Sequence, residues 1–485
     1  MAELAFEAAA RHFERALGSI DLAELPDRTM RCDLLIARAR ALDASGDDRR
    51  LGVRAQSVEA ARELDDPQRF ALAALSLSEH QMNSSRMGFA DEEFVAWLEE
   101  ALGWLPEAPG RLRAQLLSTL AMELQWTPQS ERRRALAREA LEMARTTEDP
   151  QALALALARG WTLVDGSRPF WGELESLLDE AETVAAGTDN AWALVYVNRV
   201  KAVAAGVRGD RGEMDRRLTA LRPIAERLRE PAQRAHLLVD ETCAAGFAGD
   251  LQRAEALALE CAEAYRLADF PDDVTMAVLG AQLYMIRLCQ GRVGELTELL
   301  AQRVKDSPGA PVWRVALAGA LVEDDQVDEA RPHYHFLADD GCAGTPPDIV
   351  FPVVLCGLGR LSYRIRPDVA IVRSIYDQLT PFTGYFNWTG GTIADANDLG
   401  LAMAAATLGE HDASDRHFAA AIDLCERAGA RAYLARCTLD WARVLDGRGD
   451  AAAARPLAER ALELGIELGM TGPSGVVPRA TALLA

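Results

Sequence analysis

Residues 111–157 read RLRAQLLSTLAMELQWTPQSERRRALAREALEMARTTEDPQALALAL. Leu112, Leu116, Leu117 and Leu120 fall at steps of four, one and three, which places them on one face of a helix. The pattern breaks at Pro128, resumes, and breaks again at Asp149-Pro150. Beyond that break Leu153, Leu155 and Leu157 sit among alanines, the mark of a helix buried nearly all round. Two helices and two breaks occupy about forty residues, the length of a helical-hairpin repeat.

The same beat runs outward in both directions. Breaks recur at Pro67, Pro109, Pro150, Asn190, Pro231, Pro271, Pro311, Pro347, Gly391 and Ala430. A second set lies halfway between, at Gly46, Gly88, Pro128, Pro169, Gly209, Gly249, Gly291, Asp324, Pro367, Gly409 and Gly449. In Asp66-Pro67 and Asp149-Pro150, Asp is placed to cap a helix and Pro to occupy its first position, where no N–H is missed. In Gly46-Asp47, Gly209-Asp210, Gly249-Asp250 and Gly449-Asp450, Gly ends one helix and Asp starts the next. Ala, Leu, Arg and Glu dominate, as helix formers do. The pattern predicts an all-α superhelix of about eleven two-helix repeats, each touching only its neighbours. Residues 1–470 read as one continuous solenoid and 471–485 as a C-terminal tail.

Three stretches share a local motif: Ala10-Arg11-His12-Phe13, Ala330-Arg331-Pro332-His333-Tyr334-His335-Phe336 and Asp415-Arg416-His417-Phe418. Each begins the chain or follows a mid-repeat break, so each is a second helix of a hairpin. The chain therefore opens on a second helix without its partner, so that either another domain once preceded it or this first helix is a cap.

The pattern resembles the tetratricopeptide-like C-terminal half of LuxR-type and cyclase-linked AAA ATPase regulators of high-GC bacteria. AAARHFERAL (8–17) with RCDLLIARARALDASGD (31–47), the 111–157 stretch, and HDASDRHFAAAIDLCERAGARAYLARCTLDWARVLDGRGD (411–450) carry the likeness. It covers nearly the whole chain and implies a tetratricopeptide-like, right-handed superhelix and a regulatory setting. The family's ATPase half would carry GxxxxGK[ST]. Here the two lysines, Lys201 and Lys305, each follow a valine. No room remains after Gly472-Pro473-Ser474-Gly475 for the helix-turn-helix that often ends such regulators. ATP hydrolysis and DNA binding therefore do not transfer, and a sensor or interaction segment is what the likeness leaves.

Composition narrows the partners. The net charge is −22, from 74 acidic and 52 basic residues. Nucleic-acid backbones and anionic membranes need clustered positive charge, so neither is an expected partner. A basic or neutral partner suits the field, which also keeps a long array soluble. The eight cysteines are scattered without a CxxC pair, as in a reducing compartment. With no signal peptide and no membrane-length apolar run, the chain reads as cytoplasmic.

Candidate sites are few. His333 and His335 stand two apart, off a shared helix face, and suggest no metal. Trp161, Trp171 and Trp192 read as core. The segments 84–89 and 164–171 read as mid-repeat turns carrying aromatics. Residues 380–398, TPFTGYFNWTGGTIADAND, replace a short turn with a Gly- and aromatic-rich loop. Tyr385, Asn387, Trp388, Asp395 and Asn397 are the candidates there for ligand or partner contact, the alternative being a connection that redirects the superhelix. No catalytic residue and no cofactor is suggested. The functional expectation is a non-catalytic binding module, holding a protein, a peptide or a small effector on its concave face. The alternatives are a small-molecule enzyme in a pocket of the superhelix, or the remnant sensor of a larger regulator.

Overall fold

The computed structural model describes the chain except residues 1–2, 23–26, 79–89, 128, 148, 164–167, 188–190, 229, 269, 271 and 346–347, and except the side chains of 3–5, 126, 161–162 and 168–170. The chain opens with α1 (Glu3–Asp21), α2 (Arg28–Ser45), α3 (Arg50–Glu63), α4 (Pro67–Ala74), α5 (Glu92–Trp104), α6 (Arg111–Glu123), α7 (Ser130–Thr146) and α8 (Pro150–Ala158). It continues through α9 (Arg168–Ala186), α10 (Ala191–Arg208), α11 (Arg211–Leu228), α12 (Pro231–Ala248), α13 (Leu251–Leu267), α14 (Asp272–Gln290), α15 (Thr297–Asp306) and α16 (Pro311–Glu323). Then come α17 (Val327–Ala338), α18 (Phe351–Ile365), α19 (Val369–Leu379), the strands β1 (Phe386–Trp388) and β2 (Ile393–Ala396), α20 (Asn397–Thr407), α21 (His411–Ala428), α22 (Arg431–Gly447), α23 (Ala451–Glu467) and α24 (Val476–Leu484). Among the described residues nearly every helix packs on the next, α14 and α15 meeting through the short 3-10 turn Val293–Leu296 between them, so α2 through α23 pair as eleven hairpins flanked by α1 and α24.

The breaks act as their chemistry dictates. Asp66 accepts hydrogen bonds from the Gln68 and Arg69 amides at 3.0 Å each, with Pro67 at the first helical position. Asp149 does the same for Gln151 at 2.9 Å and Ala152 at 3.1 Å. Gly46 closes α2 in the left-handed region at φ 71°. Successive hairpins are also stitched by arginine–carboxylate pairs, among them Arg62–Glu100 at 2.7 Å, Arg145–Glu180 at 2.5 Å and Arg448–Asp415 at 2.8 Å. Pairs this exposed contribute well under about 1 kcal/mol each, so they tune register more than they hold the stack.

The stack winds tightly enough to touch itself. Gly46, between α2 and α3, lies against the Ala268 backbone at the end of α13. Gly209, after α10, lies against Leu424 and Ala428 of α21. These partners are roughly five repeats further along, so about five hairpins complete one superhelical turn. Near the C-terminus the contact is backbone to backbone: the Gly472 amide donates to the Gln290 carbonyl at 2.9 Å and the Ser474 amide to the Gly291 carbonyl at 3.1 Å. A Cβ at Gly472 would sit 2.5 Å from the Gly291 carbonyl oxygen. Helix α24 follows this seam and packs on α22 and α23.

Gly472→Val is therefore expected to open the seam and cost about 1–3 kcal/mol by overpacking. Urea denaturation would read the loss, and hydrogen exchange would show faster exchange at the Ser474 amide. An unchanged midpoint would refute the contact.

Candidate functional site

The 380–398 segment is where the interior chemistry gathers. Strands β1 and β2 pair antiparallel, Phe386 opposite Ala396 and Trp388 opposite Ile393, with an irregularity between the two pairs. Thr389 and Thr392 close the connecting turn through a 3.0 Å Thr389 amide to Thr392 carbonyl bond. The hairpin lies inside the superhelix. Ile393 donates its amide to Cys243 Sγ of α12 at 3.2 Å and accepts from the Tyr433 hydroxyl of α22 at 2.7 Å. Gln282 of α14 donates to the Gly391 carbonyl at 3.3 Å. Phe386 meets Phe247 edge-on, with ring centroids 5.0 Å apart. Gly206 of α10 leaves room for Ile393, whose Cδ1 lies 2.4 Å from where a Cβ would stand.

The five predicted residues are all on this element, but in different settings. Asn387 is buried and donates to the Asp395 carbonyl at 2.9 Å. Asn397 is buried and donates from Nδ2 to the Phe382 and Tyr385 carbonyls at 3.1 and 3.2 Å. Trp388 is half-buried and packs against three separate hydrophobic clusters. Tyr385 is half-buried beside the cluster that contains Trp171 and Tyr196. Trp171 is buried and Trp192 half-buried against that same cluster. Trp161, the 84–89 turn and most of the 164–171 segment lie outside the described residues.

Asp395 is the electrostatic centre. Arg436 of α22 grips it with two bonds, Nη1 to Oδ1 at 2.7 Å and Nη2 to Oδ2 at 3.3 Å. Arg360 of α18 adds a third, Nη1 to Oδ2 at 3.0 Å. Burial pushes this carboxyl toward protonation, but Arg436 and then Arg360 outweigh it and hold it below the usual carboxylate range. The network spreads outward. Arg360 reaches Glu323 at 3.5 Å and Asp440 at 3.6 Å, and Arg479 of α24 binds Glu323 by side chain and by carbonyl. Burial opposes ionisation of Glu323, yet Arg479, Arg360 and Arg436 bring it down to about 2. Beside this network opens a cavity of about 50 Å³ whose wall includes Tyr284, Glu323, Arg360, Arg364, Asp440 and Arg443.

Apart from Asp395, sequence reasoning missed this network. Its members come from five elements, and none forms a motif with its neighbours in the chain. It also missed the chain Asp398–His417–Tyr376, with His417 Nδ1 2.9 Å from Asp398 and His417 Nε2 3.1 Å from the Tyr376 hydroxyl. The His-Phe echo at 417–418 was the available signal. The echo at 330–336 is plainer: His333 faces Arg314 at 3.4 Å and His335 pairs with Asp339 at 2.7 Å. Among the described residues no group of three His, Cys, Asp or Glu is placed to hold a metal.

A second polar centre lies in the first superhelical turn. Glu230, which precedes α12, is 6% exposed. Burial, the nearby Asp43 of α2 and, in opposition, a hydrogen bond from Trp192 leave its carboxyl raised to about 8. Arg159 is fully buried and donates to Ser118 and Thr119 of α6 at 3.1 Å each. Arg199 binds Asp240 with bonds of 2.7 and 3.3 Å. A buried ion pair and a buried arginine–hydroxyl cluster thus join inner helices one repeat apart.

The fold defines the class: an α-solenoid of tetratricopeptide-like hairpins, with a β-hairpin in its interior. No protein-family model matches the sequence, and no curated protein does. Among solved structures the chain is similar to the APC/C hetero-tetramer Cut9-Hcn1, at 13% identity and TM-score 0.37 over 100% of this chain and 93% of that one. It is similar to the human IFIT1 dimer with PPP-AAAA, at 15% identity and TM-score 0.42 over 94% of each chain. It is similar also to Naa15/Naa10 bound to HypK-THB, at 13% identity and TM-score 0.22 over 90% of this chain and 64% of that one. Among the described residues no helix is long and apolar enough to cross a membrane.

Removing the Asp395 charge leaves Arg436 and Arg360 buried without their partner. Asp395→Asn is expected to destabilise the fold by about 3–5 kcal/mol, measured by chemical denaturation. Replacing Asp395 with Leu and Arg436 with Met together should cost less than the two single changes summed, because no charge in that pair is then stranded.

The pH dependence carries two opposite signs. Glu230 is raised from 4.5 to about 8, so the stability it gives is complete below 4.5 and is lost as pH rises through about 8. Glu323 is lowered from 4.5 to about 2, so its stability is present above 4.5 and is lost as pH falls through about 2. Thermal melts from pH 5 to pH 9 should show a falling Tm whose slope is reduced in Glu230→Gln. An identical slope in that variant would refute the assignment.

Proposed function

We propose that the chain is a non-catalytic helical-repeat binding module with a regulatory or scaffolding role. The observation that carries this reading is the use made of the interior charges. Asp395, Arg360, Arg436, Glu323 and Arg479 pair with one another and hold the hairpin inside the superhelix. Charges used this way fix a shape, and a fixed shape is what a recognition surface requires. Residues 1–470 act as one continuous solenoid in this reading. The half-buried Tyr385 and Trp388 are its contact residues, and Asn387, Asp395 and Asn397 position the hairpin that presents them. The net charge of −22 favours a basic or neutral protein, peptide or small effector as partner. The resemblance to the repeat region of LuxR-type regulators supports the regulatory setting, and a cytoplasmic location agrees with the scattered free cysteines.

An enzyme is the second reading, favoured by one observation. Glu230, raised to about 8 beside Asp43, has the protonation range of a general acid–base group.

Native mass spectrometry of the protein purified from its host at low and high salt tests the two readings. The first expects a basic or neutral partner at fixed stoichiometry, and a basic one should be released as ionic strength rises. Turnover of a small molecule that is abolished in Glu230→Gln would replace it with the second.

A further inference from the structure

The cavity beside the Asp395 network has polar groups that the network's hydrogen bonds do not use. Among the described residues Arg443 has no hydrogen-bond partner, and the carboxylate paired with it is Asp440, at 3.7 Å. Asp440 is 8% exposed, yet its charged neighbours stand at 3.6 and 3.7 Å, beyond hydrogen-bond reach. Arg360 Nε is buried without a hydrogen-bond partner. Tyr284 lines the cavity too, its hydroxyl 2.3 Å from where a Cβ on Gly319 would stand, and no residue described here bonds to it. Of these groups Arg360 Nε is the buried one, and buried polar groups are normally satisfied; the Asp440, Arg443 and Tyr284 polar atoms line the cavity and are open to a bound molecule.

The wall dictates the chemistry of that occupant. Arg443 and Arg364 are 30% and 27% exposed at their side chains and form the open side of the cavity. Arg364 is already bonded to Asp325 at 2.7 Å, so Arg443 is the available cation. Asp440 asks for a donor, and a positively charged one best. Glu323 is tied to Arg479 and offers less. A simple anion would leave Asp440 without a donor, and a simple cation would face Arg443. The volume of about 50 Å³ holds roughly three or four water-sized groups, given that one water needs about 10–15 Å³ measured this way.

We propose that this cavity binds a small zwitterionic α-amino acid of about glycine's size. Its carboxylate lies between Arg443 and the Tyr284 hydroxyl, and its ammonium donates to Asp440. The proposal rests on the reading of the chain as a recognition module and names the effector.

The test is ligand-observed saturation-transfer NMR on the full chain at constant ionic strength, with glycine, acetate and methylammonium as separate probes. Acetate and methylammonium each carry one half of glycine. Glycine is expected to bind at least about tenfold more tightly than either half. Arg443→Gln should weaken glycine about tenfold, and Asp440→Asn should remove the preference for glycine over acetate. Tyr284→Phe, which leaves every ion pair in place, should weaken glycine severalfold with an unchanged Tm. Acetate equal to glycine would overturn the proposal in favour of an anion site. No saturation transfer from any probe would overturn it in favour of a water-filled cavity. Either result with a partner still captured at fixed stoichiometry would sink the amino-acid site alone and leave the recognition module standing.

Discussion

The salt link from Asp395 to Arg436 and Arg360 is the constraint on which the rest of this structure depends. It joins a strand to two helices from different repeats, deep in the protein. A carboxylate so placed is very costly unless paired, and one guanidinium would leave lone pairs unmet. Two guanidiniums satisfy it, and they in turn need Asp440 and Glu323 nearby to balance them. The hairpin is thereby fixed in one register, and its apolar residues are delivered to the places that need them. Phe386 meets Phe247, Ile393 fills the notch at Gly206, and Trp388 bridges three clusters.

An array of hairpins has only nearest-neighbour contacts by default, and it bends easily along its length. This chain adds contacts between repeats four to five apart. The Gly472 and Ser474 bonds to Gln290 and Gly291 close one seam, and Arg479 crosses to Glu323 at another. The hairpin does the same from within, touching α10, α12, α14 and α22. The consequence is rigidity, because the hairpin ties together helices that are distant in the chain.

The sequence alone determined the class of the fold. Proline caps, left-handed glycines and a repeating apolar face are local features, and each of them sets its own helix end or helix face wherever it occurs. Asp66-Pro67 caps α4 as its chemistry requires, and Gly46 ends α2 as its freedom of φ allows. The 380–398 loop also stood out, because glycines and aromatics interrupt the beat there. What only the tertiary structure decided is where that loop goes and whom Asp395 meets. The superhelical turn is the sum of small rotations between hairpins, set by side-chain packing at every interface. No single stretch of chain encodes the sum, so residues as far apart as Tyr284, Arg360 and Arg443 come together without leaving a motif.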